Sequence, residues 1–247
     1  MRRLENKVAI ITGGASGIGK ATASLFVKED AKVALVDINE ERGKQVEKEL
    51  GKNSIFVKCD TRKNDDAKKM VDTVVKKFGK IDILFNNVGI YITKNIEQMT
   101  EEEWDKLIDT NLKSLFLCSK YVLPLMKKNG GVIINTASEL AFSLEPESPA
   151  YCASKAGIVN LTKSMAVEYA KYNIRVNCVS PGPIDTPLLR DSFESKEELK
   201  NYINEHTLFK RLGRPEEVTN VVLFLASDEA SYVTGASYSV DGGESLR

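Results

Sequence analysis

Short β-branched and aliphatic runs alternate along this chain with longer segments whose apolar residues recur at helical spacing. The runs Val8–Ile11, Lys32–Asp37, Ile55–Val57, Ile81–Phe85, Gly131–Thr136, Arg175–Val179 and Tyr238–Val240 predict seven strands. Between them the spacing predicts helices from Gly17 to about Glu29, Asn39 to Leu50, Lys63 to Phe78, Thr100 to about Lys127, Tyr151 to Tyr169 and Pro215 to about Ala226. The helix ends carry their own signals. Gly79 stands just past the third helix as a C-cap, Pro215 opens the last one, and Thr100 to Glu103 forms a capping box. Ser195 to Glu198 repeats that box and opens a further short helix.

Strands alternating with helices require right-handed crossovers and a parallel sheet covered on both faces. The nearly all-apolar strands agree, because such strands are buried on both sides. The pattern predicts an α/β protein with a doubly wound parallel sheet. A length of 247 residues with no repeat, linker or low-complexity tract fits one domain spanning 1–247. The least regular stretch runs from Pro181 to about Leu208. It reads as a substrate lid within that domain, at 182–210. Sheets of this kind bind ligands at the carboxyl ends of their strands, so the residues just after each strand carry the information.

Composition narrows the function classes. Lys plus Arg and Asp plus Glu are both 35, without the basic surplus of a phosphate-backbone binder, so nucleic acid is not expected as a partner. Cysteines at 59, 118, 152 and 178 form no C-x-x-C pair and read as small buried hydrophobes in a reducing compartment. His206 is the only histidine, so no multi-histidine metal centre is possible; no metal is expected. No G-x-S-x-G elbow supports hydrolase chemistry. The apolar runs Val8–Ile11 and Val221–Ala226 are too short for a signal core or a membrane span, and a cytoplasmic protein is expected.

Thr12-Gly13-Gly14-Ala15-Ser16-Gly17-Ile18-Gly19 follows the first strand. Its glycines permit a tight turn and a close backbone approach, and the next helix points its amides at a phosphate. The general G-x-G-x-x-G spacing fails at Thr22, and no G-K-[ST] is present. Asp37 ends the second strand, 18 residues past Gly19, where a dinucleotide-binding unit places an acid on the ribose hydroxyls. A 2′-phosphate 4 Å from that carboxylate would cost about 4 kcal/mol, roughly a thousandfold. Ser16 and Ile38 bring no cation beside it, so NAD is expected over NADP.

Tyr151 and Lys155 are four residues apart on a predicted helix and share one face. Ser138 lies two residues past the fifth strand, at the same sheet edge. A phenol is a poor base at neutral pH, but an adjacent ammonium and a cationic nicotinamide ring favour the phenolate. Tyr151 could then take a hydroxyl proton while Ser138 stabilises the same oxygen.

These residues resemble the short-chain dehydrogenase/reductase family, in its NAD-preferring form. The resemblance covers nearly the whole chain. It rests on T-G-x-x-x-G-x-G at Thr12–Gly19, Asn86-Asn87-Val88-Gly89, Asn111, Ser138, Tyr151, Lys155, Pro181-Gly182, and the ending Gly235-Ala236 through Asp241-Gly242-Gly243. It implies a Rossmann-like fold of about seven strands and hydride transfer between nicotinamide and an alcohol or carbonyl. By the same resemblance, Tyr151 is the general acid/base, and Lys155 holds the nicotinamide ribose and lowers the tyrosine pKa. Ser138 orients the substrate, and Asn111 holds a water in a relay to Lys155. Gly13, Ser16, Gly17 and Ile18 bind the cofactor, with Asp60 on adenine, Asn87 and Gly89 along its length, and Pro181, Ile184 and Thr186 about the carboxamide. Val88 stands where the family usually has Ala, and its methyls crowd that wall. The family is usually tetrameric, which would pair helices 101–127 and 151–169 across one interface and the Tyr238 strand with the Pro215 helix across another.

The substrate is less sharply specified. Tyr91, Leu140, Phe142, Leu188, Leu189 and Phe193 suggest a partly apolar pocket. Glu139, with Glu145 and Glu147, would repel an anion if it faced the pocket, which favours a neutral alcohol, diol or sugar; all three glutamates could instead be solvated. The second reading is a 3-oxoacyl-(acyl carrier protein) reductase, against which stands the absence of basic residues at Ile90–Thr93. The third is a non-catalytic NADH-binding protein, which would have no need of Ser138, Tyr151, Lys155 and Asn111 together.

Overall fold

The computed structural model describes residues 2–246. Seven parallel strands form one sheet: β1 (Val8–Thr12), β2 (Lys32–Asp37), β3 (Ser54–Lys58), β4 (Ile83–Asn86), β5 (Gly131–Thr136), β6 (Ile174–Pro181) and β7 (Ser237–Val240). Their order across the sheet is β3-β2-β1-β4-β5-β6-β7. The order reverses between β1 and β4, which pair with Ile10 opposite Leu84. A crevice opens at the carboxyl ends of these two strands, because the chain leaves them toward opposite faces.

The helices are α1 (Gly17–Lys28), α2 (Glu40–Leu50), α3 (Asn64–Phe78), α4 (Glu101–Ile108), α5 (Ser114–Asn129), α6 (Pro149–Tyr169), α7 (Pro187–Arg190), α8 (Lys196–His206) and α9 (Pro215–Ala226). They bury the two faces of the sheet separately. One core sets Ile10, Leu84, Ile133 and Val176 against Met70 and Val74 of α3, Val122 and Met126 of α5 and Ile158 of α6. The other sets Ile11, Leu35, Phe85 and Ile134 against Phe26 of α1, Val46 of α2 and Val222 of α9. The strands from β1 to β6 therefore have two apolar faces, the pattern that the aliphatic runs announced, while the edge strand β7 alternates serines with Tyr238 and Val240.

The predicted caps are largely present. Gly79 closes α3 at φ +83°, and Thr100 and Glu103 form a complete capping box on α4. At α8 only half the box forms: Ser195 accepts from the Glu198 amide, while Glu198 reaches back to the amide of Glu194. The stretch expected to be irregular holds two helices, α7 and α8, and all four cysteines are buried free thiols. The single helix expected over 100–127 is interrupted by a π turn at Asp109–Lys113. There the hydroxyls of Thr110 and Ser114 donate to the carbonyls of Lys106 and Thr110, each at 2.6 Å.

A buried amide chain ties the sheet to α6. Asn86 of β4 donates to Asn135 of β5 at 2.9 Å, and Asn135 donates to Thr162 of α6 at 2.9 Å. This chain fixes α6 against the strand ends from which the functional loops leave. Replacing Asn135 by Ala leaves the Asn86 and Thr162 groups short of a partner away from water, at a cost of about 2 kcal/mol. Thermal unfolding of Asn135→Ala is expected roughly 4–8 °C below wild type; an unchanged midpoint would show that the chain does not hold α6.

Candidate active site

A cleft of about 910 Å³ runs along the carboxyl edge of the sheet. Its floor is a clasp between the loops after β1 and β4. Thr12 Oγ1 accepts the Asn87 amide at 2.9 Å, and Asn87 Nδ2 donates to the Thr12 carbonyl at 3.1 Å. The clasp leaves no room for side chains. A Cβ on Gly19 would sit 2.1 Å from the Gly13 carbonyl oxygen, and one on Gly13, at φ +66°, would sit 3.0 Å from Asn87 Nδ2. Gly17 turns at φ +50° toward Thr186. Ser16 precedes α1 without capping it, so the first amides of the helix face the cleft that Ser16, Gly17 and Ile18 line. A cradle a methyl group would fill, at a helix start with no acidic residue in its first turn, fits a dinucleotide pyrophosphate.

Asp37 ends β2 on the cleft wall. Its Oδ2 accepts the Ala15 amide at 3.1 Å and its Oδ1 the Asn39 amide at 2.9 Å, so backbone amides hold the carboxylate in place. Asp60 follows β3 and lines the same end. Its carboxylate takes the Arg62 guanidinium in a two-point contact, 2.8 Å at each nitrogen, which holds its pKa below the usual carboxylate range. Arg62 is a cleft residue that the sequence reading missed; its signal was its place just beyond a strand end. Val88 and Gly89 continue the wall, opposite Pro181, Ile184 and Thr186. Ile184 is buried and bridged to Gly213, and Thr186 caps α7 through the Leu189 amide.

At the other end the structure brings Ser138, Tyr151 and Lys155 together. Lys155 is 3% exposed and donates to the Thr136 carbonyl at 2.9 Å. Its Nζ lies 5.4 Å from the centre of the Tyr151 ring, which stacks edge-on against Tyr91 at 4.8 Å. Ser138 lies near enough to the Tyr151 phenol to favour its ionised form. Asn111, in the π turn, does not line the cleft. It grips the loop after β4, accepting the Ile90 amide at 2.8 Å and donating to the Ile90 carbonyl and Ser154 Oγ. Gly89 fits between them, since its Cβ would lie 3.5 Å from both Asn111 Oδ1 and Lys155 Nζ.

Burial dominates the electrostatics. It pulls Lys155 down to about 8, against the pull of the nearby Glu139. It pushes the Tyr151 phenol above its ordinary range, helped by Glu139 and opposed by Ser138. The lowering expected from Lys155 together with a cationic nicotinamide ring is not supplied by the chain's own residues. Glu139 itself is 5% exposed, with Oε2 2.9 Å from Ser138 Oγ, and burial together with Glu244 pushes its pKa up to about 8. Glu139 is not solvated, and its burial at the cleft wall opposes the charge by which it was expected to repel an anion. Its burial partner, Glu244, arrives from the far end of the chain. His206 stacks on Tyr202, with ring centres 4.2 Å apart.

Comparison with known proteins agrees with this geometry. A family model described as Enoyl-(Acyl carrier protein) reductase matches residues 13–245. The chain is 44% identical over 250 residues to the 3-oxoacyl-[acyl-carrier-protein] reductase FabG of Thermotoga maritima, covering 98% of each chain. It is 42% identical over 252 residues to the Uncharacterized oxidoreductase YxbG of Bacillus subtilis, covering 98% of this chain and 92% of the other. The crystal structure of levodione reductase superposes with a TM-score of 0.95 at 35% identity, covering 99% of both chains. The chain belongs to the short-chain dehydrogenase/reductase family, whose members are oxidoreductases that bind nicotinamide cofactors.

Proposed function

We propose that the protein is an NAD(H)-dependent oxidoreductase that interconverts a neutral secondary alcohol, diol or sugar and its ketone. The observation that carries this reading is the convergence of Ser138, Tyr151 and buried Lys155 beside the cradle that Gly13, Gly19 and Asn87 form. When bound, the nicotinamide accepts or supplies the hydride. Tyr151 holds the proton that leaves the substrate hydroxyl in oxidation and returns it to the carbonyl oxygen in reduction. Ser138 directs a hydrogen bond at the same oxygen, where charge develops. Lys155, fixed by the Thr136 carbonyl, would reach the nicotinamide ribose and favour the phenolate. Asn111 commits both amide hydrogens to Ile90 and Ser154, so a relay water would use its Oδ1.

At the substrate end, Glu147, Glu198 and Glu205 are exposed on the cleft rim and Glu145 is half-buried there. This rim opposes anions and an acidic carrier protein. It ranks the carrier-protein reductase reading second, despite the identity to FabG. A non-catalytic NADH-binding role ranks third, because it leaves the proton-handling residues without a purpose. Exposed Phe116 on α5 and Val167 on α6 support a homotetramer; light scattering is expected to return four copies, and a monomer would refute it.

A panel of neutral ketones and secondary alcohols, with a 3-oxoacyl thioester alongside, tests the chemistry. Tyr151→Phe is expected to lose about 10²–10⁴-fold in kcat while binding NADH as the wild type does. Retained turnover would overturn the assignment. The fixed Asp37 carboxylate supports NAD, and Arg62 is engaged by Asp60 rather than free for a 2′-phosphate. Wild type is expected to bind NADH roughly a thousandfold more tightly than NADPH, and Asp37→Ala to erase most of that ratio. Equal affinities in the wild type would sink the NAD assignment.

A further inference from the structure

Ser138 has one hydrogen to give and two lone pairs. The Leu140 amide donates to Ser138 Oγ at 3.2 Å, and the Glu139 carboxyl lies on its other side at 2.9 Å. The reaction needs the one hydroxyl hydrogen on the substrate oxygen in either direction. An ionised carboxylate accepts only, and an acid donates. We propose that Glu139 is a positioning residue that sets the direction of the Ser138 hydroxyl. Protonated, Glu139 donates to Ser138 Oγ and frees the serine hydrogen for the substrate. Ionised, it takes that hydrogen, and the serine then offers the substrate oxygen a lone pair. The inference rests on the role given to Ser138 above.

The surroundings hold Glu139 in its acid form at neutral pH. It sits in a short turn of helix at Glu139–Ala141, packed on α6, β6 and the C-terminal turn Glu244–Leu246. From α6 it faces Tyr151 and Lys155, whose buried ammonium senses its charge. The C-terminal turn brings Glu244, itself pushed up to about 7 by burial, with Oε1 bonded to Tyr202 of α8 at 2.6 Å and Oε2 buried without a partner among the described residues. Asp241 after β7 adds a further negative charge, and Tyr202 also reaches Glu145. β6 ends beside it with Val179-Ser180-Pro181, none of which titrates. Burial and two acidic neighbours therefore oppose ionisation, which sets in at about 8.

The experiment follows the pH dependence of kcat/KM for reduction of the panel's fastest ketone. In the wild type it is expected to fall above about pH 8, tenfold per unit as one proton is lost. In Glu139→Gln, whose amide donates to Ser138 at every pH, the low-pH value should stay within a few-fold and the fall should vanish or move upward. In Glu244→Gln the fall should move downward, because a charge that opposes Glu139 ionisation is gone. A fall that stays or moves downward in Glu139→Gln overturns the proposal. Such a limb belongs to Tyr151 or Lys155, both of which lose a proton more easily without a carboxylate beside them. Infrared titration of the cofactor-free protein reads Glu139 without turnover. A carboxylic C=O band lost with a midpoint near 8 and absent from Glu139→Gln is expected, and its absence from the wild type overturns the proposal. Turnover that survives Tyr151→Phe would instead remove the reading on which the proposal rests, with the infrared result still deciding the state of Glu139.

Discussion

An ammonium group buried at 3% exposure, with a backbone carbonyl at 2.9 Å and no carboxylate among the described residues salt-bridged to it, is an expensive thing to fold. Lys155 is that group, and much of the surrounding structure is what makes its position tolerable. Thr136 lies at the end of β5, so the sheet itself presents the acceptor. The Asn86–Asn135–Thr162 chain sets the distance between that strand end and α6. Gly89 keeps the facing loop slim, and Asn111 holds that loop down through Ile90. The site is therefore a consequence of how two strands, one helix and one π turn share a small dry volume.

The same dryness explains why the acid/base groups do not carry their ordinary proton affinities. Desolvation penalises every charged form, so it lifts Tyr151 and Glu139 and lowers Lys155. These shifts reinforce one another. A neutral Glu139 leaves Lys155 without a counter-charge, and loss of the Lys155 proton above about 8 removes one reason for Tyr151 to ionise. Binding a cation in the cleft would reverse the balance. A site poised in this way has its proton inventory set by what occupies it, which suits the acid/base role proposed for Tyr151.

The sheet was legible because its signals are local. Aliphatic runs, Gly79, Thr100 with Glu103, and Pro215 each act over a few residues, and each does in the structure what its type demands. The gathering of Ser138, Tyr151 and Lys155 was legible because helix periodicity fixes the last two and the strand end fixes the first. What was not legible depends on distant partners. Glu139 looks like a loop carboxylate until Glu244, at the opposite end of the chain, buries it. The π turn leaves no mark in Asp109-Thr110-Asn111-Leu112-Lys113, which suits an ordinary helix. Arg62 stands two residues from Asp60, yet only the fold shows its guanidinium folded back upon it.

The two ends of the cleft then sort by charge in a way composition concealed. The chain sums to zero. Yet the guanidinium at one end is held by Asp60, near the fixed carboxylate of Asp37, while the end beyond Tyr151 is ringed by Glu145, Glu147, Glu198 and Glu205. Tyr202 and Glu244 tie α8 to the C-terminal turn across that end, so the wall that shapes the pocket also sets the field on Glu139. Substrate selection and proton handling are for that reason one electrostatic problem here. A change that makes the pocket welcome an anion by removing Glu244 also lowers the pKa of the group bonded to Ser138.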